Sequence, residues 1–290
     1  MAGTDRGNTV KIKNYVKPAS LEEAWELNQK RSARLIGGMM WLRTGRQTIA
    51  TAVDLAGLGL NEIEETEEEF RIGAMVTLRQ LELHPGLAAY TGGAMREAVR
   101  SIVGVQFRNL ATVGGSIWGR FGFSDVLTLF LALDTRVLLY RAGEMSLREF
   151  AGMKKDNDIL TGLTVRKRPQ KTAYLAYRNT KTDFPVLTCA VALPVGKDVG
   201  DFQGMAAVGA RPGRAICLEL PESCREDLIR GAAEDGALSE LTGQAAREMA
   251  KLVPTGSNLR AGAAYRSHLA RVLLKRNLEQ LLRAEKGGAL

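Results

Sequence analysis

The chain has 290 residues, 45% hydrophobic and 25% charged, with a net charge of +8. That composition excludes disorder and collagen-like structure and suits about two domains of roughly 100–200 residues each. The longest nearly unbroken apolar run, Val126 to Leu133, is bounded by Asp125 and Asp134; a bilayer crossing needs ~20 residues, so no membrane span is expected. Met1 to Val10 has no apolar core behind its one basic residue, so no secretory signal and a cytoplasmic location are expected.

In chain order, Val10 to Tyr15 reads as a strand, and Ser20 with Glu23 forms a capping box opening a helix with apolar positions at Leu21, Ala24, Trp25 and Leu27. Arg34-Leu-Ile36 reads as a second strand ending in Gly37-Gly38, and Ala52 to Leu55 as a third. The run Glu62, Glu64, Glu65, Glu67, Glu68 and Glu69 predicts an exposed turn before a strand over Phe70 to Ala74. Thr77 and Gln80 form another capping box, and Ala94 to Val103 has helical spacing until Gly104 interrupts it.

Val105 to Ser124, with glycines at 114, 115, 119 and 122, is too interrupted for a simple helix or strand and reads as a ligand-holding loop. Ser124-Asp125 caps an apolar helix over Val126 to Leu133, and Arg136 to Tyr140 and Asp158 to Val165 read as strands. Arg166-Lys-Arg-Pro-Gln-Lys171 reads as a solvated connector between domains. Thr172 to Tyr177, Val186 to Leu193, Phe202 to Ala210 and Ala215 to Leu220 then predict one antiparallel sheet. A terminal helix is expected over about Ser257 to Leu282, with Tyr265, Leu269, Val272, Leu278 and Leu281 on its buried seam and Arg266, Arg271, Lys275 and Arg276 mostly off it.

Cys189, Cys217 and Cys224 form no Cys-x-x-Cys pair, and His84 and His268 are far apart, so neither a disulfide framework, a zinc site nor a Ser-His-Asp triad is expected. Residues 251–290 carry Lys251, Arg260, Arg266, Arg271, Lys275, Arg276, Arg283 and Lys286 against Glu279 and Glu285. With few interleaved aromatics, this basic tail reads as a solvated or subunit-docking face, and no nucleic-acid partner is expected.

Leu35-Ile-Gly-Gly-Met-Met-Trp-Leu42 and Ala111-Thr-Val-Gly-Gly-Ser-Ile117 each follow apolar segments. Consecutive residues without Cβ let backbone N–H groups converge on an anion, so the pair suits a pyrophosphate. Neither run is a Rossmann Gly-x-Gly-x-x-Gly nor a Walker loop.

Gly104-Val-Gln-Phe-Arg-Asn-Leu-Ala-Thr-Val-Gly-Gly-Ser-Ile117, Ser124-Asp125 and Leu131-Ala-Leu-Asp134, with Phe70 to Ala74 plus Thr77 and Ser257 to Arg266, resemble in order the FAD-binding medium subunits of molybdenum hydroxylases, the xanthine dehydrogenase and carbon monoxide dehydrogenase group. The resemblance implies an α+β chain: a vanillyl-alcohol-oxidase-like (PCMH-type) FAD-binding domain of two lobes over residues 1–168, then a C-terminal domain of antiparallel sheet plus helices over 169–290. It implies that Arg34, Leu35, Ile36, Gly37, Gly38, Met39, Met40 and Trp41 wrap the FAD pyrophosphate, and that Thr112, Val113, Gly114, Gly115 and Ser116 form a second cradle. Asp125 would accept from FAD hydroxyls, Ile102 and Leu160 would pack near the cofactor, and Arg178 would approach the flavin from the second domain.

The function implied is electron transfer from a partner 2Fe–2S subunit, beside a molybdopterin subunit, through FAD to NAD⁺ or another acceptor. The alternative is a flavin-free docking subunit, because Met39-Met40 stands where the family usually has Thr-Asp, and Ser116 where it usually has Asn. The branch with an extra iron–sulfur cluster needs inserted cysteines, and none precedes Cys189.

Overall fold

The computed structural model describes residues 10–195, 202–230 and 235–283. Residues 1–9, which carry the signal-peptide expectation, and Glu285 and Lys286 of the basic tail lie outside the described residues.

The first lobe contains β1 (Lys11–Val16), α1 (Leu21–Asn28), β2 (Ala33–Ile36) and β3 (Thr48–Asp54). Its three strands form a parallel sheet in the order β1-β3-β2. Ser20 caps α1 by accepting from the Glu23 amide, while the Glu23 carboxylate accepts from the Ala19 amide, so half of the expected capping box forms.

The second lobe begins with a hairpin of β4 (Ile63–Glu65) and β5 (Glu69–Gly73). Part of the glutamate run is therefore a strand, not only a turn: half-buried Ile63 packs against the core, and Thr66 closes the hairpin. Then come α2 (Leu78–Leu83), α3 (Pro85–Tyr90), α4 (Ala94–Arg100), α5 (Val105–Arg108), α6 (Val113–Trp118) and α7 (Asp125–Ala132). Helix α4 stops before Val103, whose φ is +50°. The glycine-rich stretch read as a loop contains two short helices, because Thr112 caps α6 by accepting from the Gly115 amide. The lobe closes with β6 (Thr135–Leu139), β7 (Gly143–Ser146), α8 (Leu147–Gly152) and β8 (Leu160–Arg166), giving the sheet order β4-β5-β8-β6-β7.

The expected solvated connector is neither long nor free. The next strand starts at Gln170, Lys167 bonds Glu65 at 2.7 Å and lies over the Phe70 ring, and Arg168 pairs with Asp134 at 2.7 Å. Its basic residues are anchors into the second lobe. The third body comprises β9 (Gln170–Tyr177), β10 (Leu187–Pro194), β11 (Met205–Gly209), β12 (Ile216–Glu219), α9 (Arg225–Arg230), α10 (Asp235–Lys251) and α11 (Ala263–Arg283), with the antiparallel order β12-β11-β10-β9.

Strand alternation explains how this sheet joins two cores. Every residue of β10 is buried. Its Ala190 and Ala192 face the second-lobe core with Tyr174 and Ala207, while Cys189, Val191 and Leu193 face α11 and belong to the core it shares with α10. Small residues let α7 sit close: a Cβ at Gly209 would meet Thr128 Oγ1 at 2.3 Å and Thr188 Oγ1 at 2.5 Å. Every residue of α7 is buried, and each large side chain there contributes about 1.5–3 kcal/mol.

On α11 the expected seam is wrong at two adjacent positions. Tyr265 is 44% exposed, whereas Arg266 is fully buried. The Arg266 guanidinium donates to the carbonyls of Val186, Gly256 and Ala261 and to Asn258 Oδ1, at 2.6–3.0 Å. A cation survives there because loop carbonyls replace its water. Arg266→Leu is expected to strand these acceptors and lower stability by about 3 kcal/mol, read as a reduced midpoint in urea unfolding.

Candidate functional site

A cavity of about 730 Å³ opens where the first lobe, the second lobe and the loop after β9 meet. Arg34 to Trp41, Ile102, Thr112, Gly114, Gly115, Ser116, Asp125, Leu160 and Arg178 all line it. Val113 does not; its side chain is fully buried in the second-lobe core.

The first loop leaves β2 at Ile36 and presses directly on the second. A Cβ at Gly38 would lie 1.6 Å from the Leu110 carbonyl oxygen, so only glycine permits the approach. The amides of Gly37, Gly38, Met39 and Met40 donate to no group among the described residues. Met39 has φ of +56°, a conformation that residues other than glycine rarely take. The Met40 side chain is 7% exposed and joins the second-lobe core. Arg34 folds back onto the carbonyls of Arg31 and Ala33.

The second loop works differently from the sequence expectation. Val113 N donates to Val76 O, Gly114 N to Ala74 O, Gly115 N to Thr112 Oγ1 and Ser116 N to Thr112 O, at 2.7–3.2 Å. These amides fix the start of α6 and are not free to converge on an anion. What the second loop gives the cavity is a smooth glycine surface and two hydroxyl side chains, and Gly114 lets α6 lie against Ala74, 2.7 Å from where a Cβ would be.

Asp125 opens α7 under the Ser124 cap, where the helix dipole favours a carboxylate. It is 5% exposed, and its Oδ1 accepts from Tyr174 Oη and, at 2.5 Å, from Arg178 Nη2. Neither bond uses Oδ2, and Asp125 lines the cavity. Burial pushes its carboxyl above the ordinary range, against the opposing pull of Arg178 and Tyr174; burial and Asp125 push the Tyr174 hydroxyl well up. Arg178 also donates to the Asp183 carbonyl at 3.0 Å, and its side chain is 8% exposed, so it is not a surface arginine.

An aromatic cluster that sequence reasoning missed covers one end. Trp41 stacks on Phe184 at 5.6 Å, Phe121 stacks on Phe123 at 5.2 Å, and Phe123 meets Phe184 edge-on at 4.7 Å. Phe121-Gly-Phe123 was its signal, hidden because Phe184 is distant in sequence.

The FAD-binding domain of molybdopterin dehydrogenases matches residues 9–165, more than half of the chain. The chain belongs to this family. The uncharacterized Escherichia coli K12 protein YgfM is 25% identical over 272 residues, covering 91% of this chain and 94% of YgfM. Quinoline 2-oxidoreductase from Pseudomonas putida 86 has a chain that superposes with a TM-score of 0.79 at 20% identity, covering 93% of this chain and 97% of that one. A chain of carbon monoxide dehydrogenase from Hydrogenophaga pseudoflava superposes at 0.78 with 21% identity, covering 93% and 97%. The expected fold, a PCMH-type FAD-binding domain followed by an antiparallel sheet with helices, is thus the fold of the chain. In this family member the first loop carries the open amides and the second carries the packing.

Gly38→Ala is therefore expected to cost about 3 kcal/mol or to separate the loops, whereas Gly115→Ala, which meets only Thr112 Oγ1 at 3.2 Å, should stay within about 1 kcal/mol of wild type; urea melts of the two variants check this. The raised Asp125 carboxyl makes the folded chain hold a proton that the unfolded chain releases near pH ~4. Its contribution is full below that pH and is lost as pH rises through the elevated folded value. Stability measured from pH ~4 upward should show a downward component that Asp125→Asn removes.

Proposed function

We propose that the large cavity binds FAD and that the chain is the electron-transfer flavoprotein of a molybdenum hydroxylase-type complex. In this reading a 2Fe–2S subunit, fed by a molybdopterin subunit, delivers electrons, and NAD⁺ or another acceptor receives them, as in xanthine dehydrogenase-like systems. A cytoplasmic location belongs to the same reading; no described helix is long and apolar enough to cross a membrane. The observation that carries the proposal is the first loop of a family member whose Gly37 to Met40 amides lack partners among the described residues at the wall of a 730 Å³ cavity. Unpaired donors on bare backbone suit a diphosphate, and the volume lies within the range of about 300–1,000 Å³ for small-molecule sites.

When bound, FAD supplies the redox chemistry. The chain's own residues hold and shield it. The first-loop amides take the diphosphate oxygens, Asp125 Oδ2 accepts from a cofactor hydroxyl, and Arg178 stays fixed between Asp125 and the Asp183 carbonyl. Trp41, Phe121, Phe123 and Phe184 keep water from one end. The likeness of fold to chains of quinoline 2-oxidoreductase and carbon monoxide dehydrogenase supports the assignment to a molybdenum-type oxidoreductase.

A flavin-free docking subunit is favoured by one observation. Where the family usually offers a hydroxyl and a carboxylate, this chain has two methionines, and Met40 packs into the core. Losing such bonds costs about 0.5–1.5 kcal/mol each, which weakens a dinucleotide without excluding it.

The purified chain is expected to show flavin absorption or to bind added FAD with quenching of flavin fluorescence, and to lose that binding in Gly38→Ala. A folded chain that neither retains nor binds FAD would overturn the proposal in favour of the docking subunit.

A further inference from the structure

A second cavity of about 460 Å³ lies behind the aromatic layer and shares Phe123, Phe184 and Pro185 with the first. Its floor is backbone brought into close contact. A Cβ at Gly122 would lie 1.9 Å from the Gly213 carbonyl oxygen, Ala210 N donates to Gly122 O at 2.5 Å, and Gly256 N donates to Arg211 O at 2.9 Å. These bonds tie the segment after β11 to the second lobe and to the loop before α11.

The side chains around this floor offer either apolar faces or hydrogen-bond donors, and no carboxylate among the described residues lines the cavity. Arg260 lies over the Phe184 ring at 4.9 Å and gives Nη2 to Asp183 at 3.2 Å, while its Nε is enclosed without a partner. Asn258 spends Oδ1 on Arg266 at 2.6 Å and on the Arg260 amide at 2.9 Å, which orients its Nδ2 as a donor. Exposed Arg214 anchors one nitrogen on the Gly152 carbonyl at 2.6 Å and makes no ion pair among the described residues. Phe123, Phe184 and Pro212 supply flat apolar surface beside these donors.

We infer that this second cavity is a binding site for a planar aromatic ring carrying one anionic group, a carboxylate or a phosphate. The ring lies against the phenylalanine and proline surfaces, and Arg214 and Arg260 take the anion. Guanidinium groups bind both anions through paired donors and also stack on aromatic planes, so the same side chains serve both halves of the ligand. A neutral ring gives Arg214 no counter-ion, and a bare anion leaves the apolar wall wet. The volume falls within the range for small-molecule sites, about 300–1,000 Å³. This inference goes beyond the flavin reading and does not need it.

Isothermal titration of the full chain with benzoate, phenyl phosphate, benzamide and inorganic phosphate tests the site. Benzoate or phenyl phosphate should bind about tenfold or more tighter than benzamide and inorganic phosphate, and whichever is tighter names the anion. Arg214→Ala and Arg214→Gln should each weaken that ligand by about tenfold while leaving flavin retention unchanged, since Arg214 lies outside the larger cavity. Benzamide binding as tightly as benzoate, or folded Arg214 variants that bind like wild type, would overturn the inference. A folded chain that neither retains nor binds FAD yet still discriminates the four probes would defeat the flavin proposal and leave this site standing.

Discussion

The contact on which the site depends is the buried carboxylate of Asp125 held by Tyr174 and Arg178. Asp125 belongs to the second lobe, and its two partners to strand β9 and the loop after it. An ionisable group in such surroundings is tolerated only when its hydrogen bonds are met, so burial of Asp125 and docking of the third body require each other. Helix α7 transmits the requirement. It is buried along its whole length, and the small-residue face of β10 and β11 brings the sheet close enough for Thr128 and Thr188 to bond at 3.0 Å. The same docking sets Phe184 against Trp41 and so closes one end of the large cavity.

Glycine contacts do for the loops what Asp125 does for the domains. Gly38 against Leu110 makes one wall from two segments far apart in sequence, and Gly122 against Gly213 makes the floor of the second cavity. In each case the missing Cβ lets two backbones meet, and the backbone groups left over define the chemistry of the surface. At the first loop those groups are amides without partners among the described residues; at the second they are consumed in starting α6. Two runs that look alike in sequence thus serve unlike purposes.

Arginine is used in two ways around the aromatic layer. Arg266 is wholly internal, and its donors organise the loop from Gly256 to Ala261, which in turn places Asn258 and Arg260 at the second cavity. Arg178, Arg260 and Arg214 instead stand at cavity walls. Part of the positive charge counted on the terminal segment is therefore structural, and it never reaches the surface where a partner could meet it.

The sequence by itself determined the element types wherever local chemistry is strong. The Ser20 and Ser124 caps, the capping box at Thr77 and the apolar strands around Leu187 to Leu193 are all where their patterns predict, and the ordered motifs identified the family; at Ser20 the Glu23 carboxylate accepts from the Ala19 amide, so only half of that box forms. Ser146 with Glu149 is an equally legible capping box, and it opens α8. The Ala-rich face of β10 and the burial of Arg266 were not legible, since helical periodicity ranks arginine as polar and cannot know that carbonyls from another segment await it. Which glycine amides stay open was decided only by tertiary structure: Ala74 and Val76 reach the second loop across the fold, while no acceptor among the described residues reaches the first. Hydrogen-bond satisfaction is a property of all segments at once, so a motif can specify a turn without specifying what its backbone is free to bind.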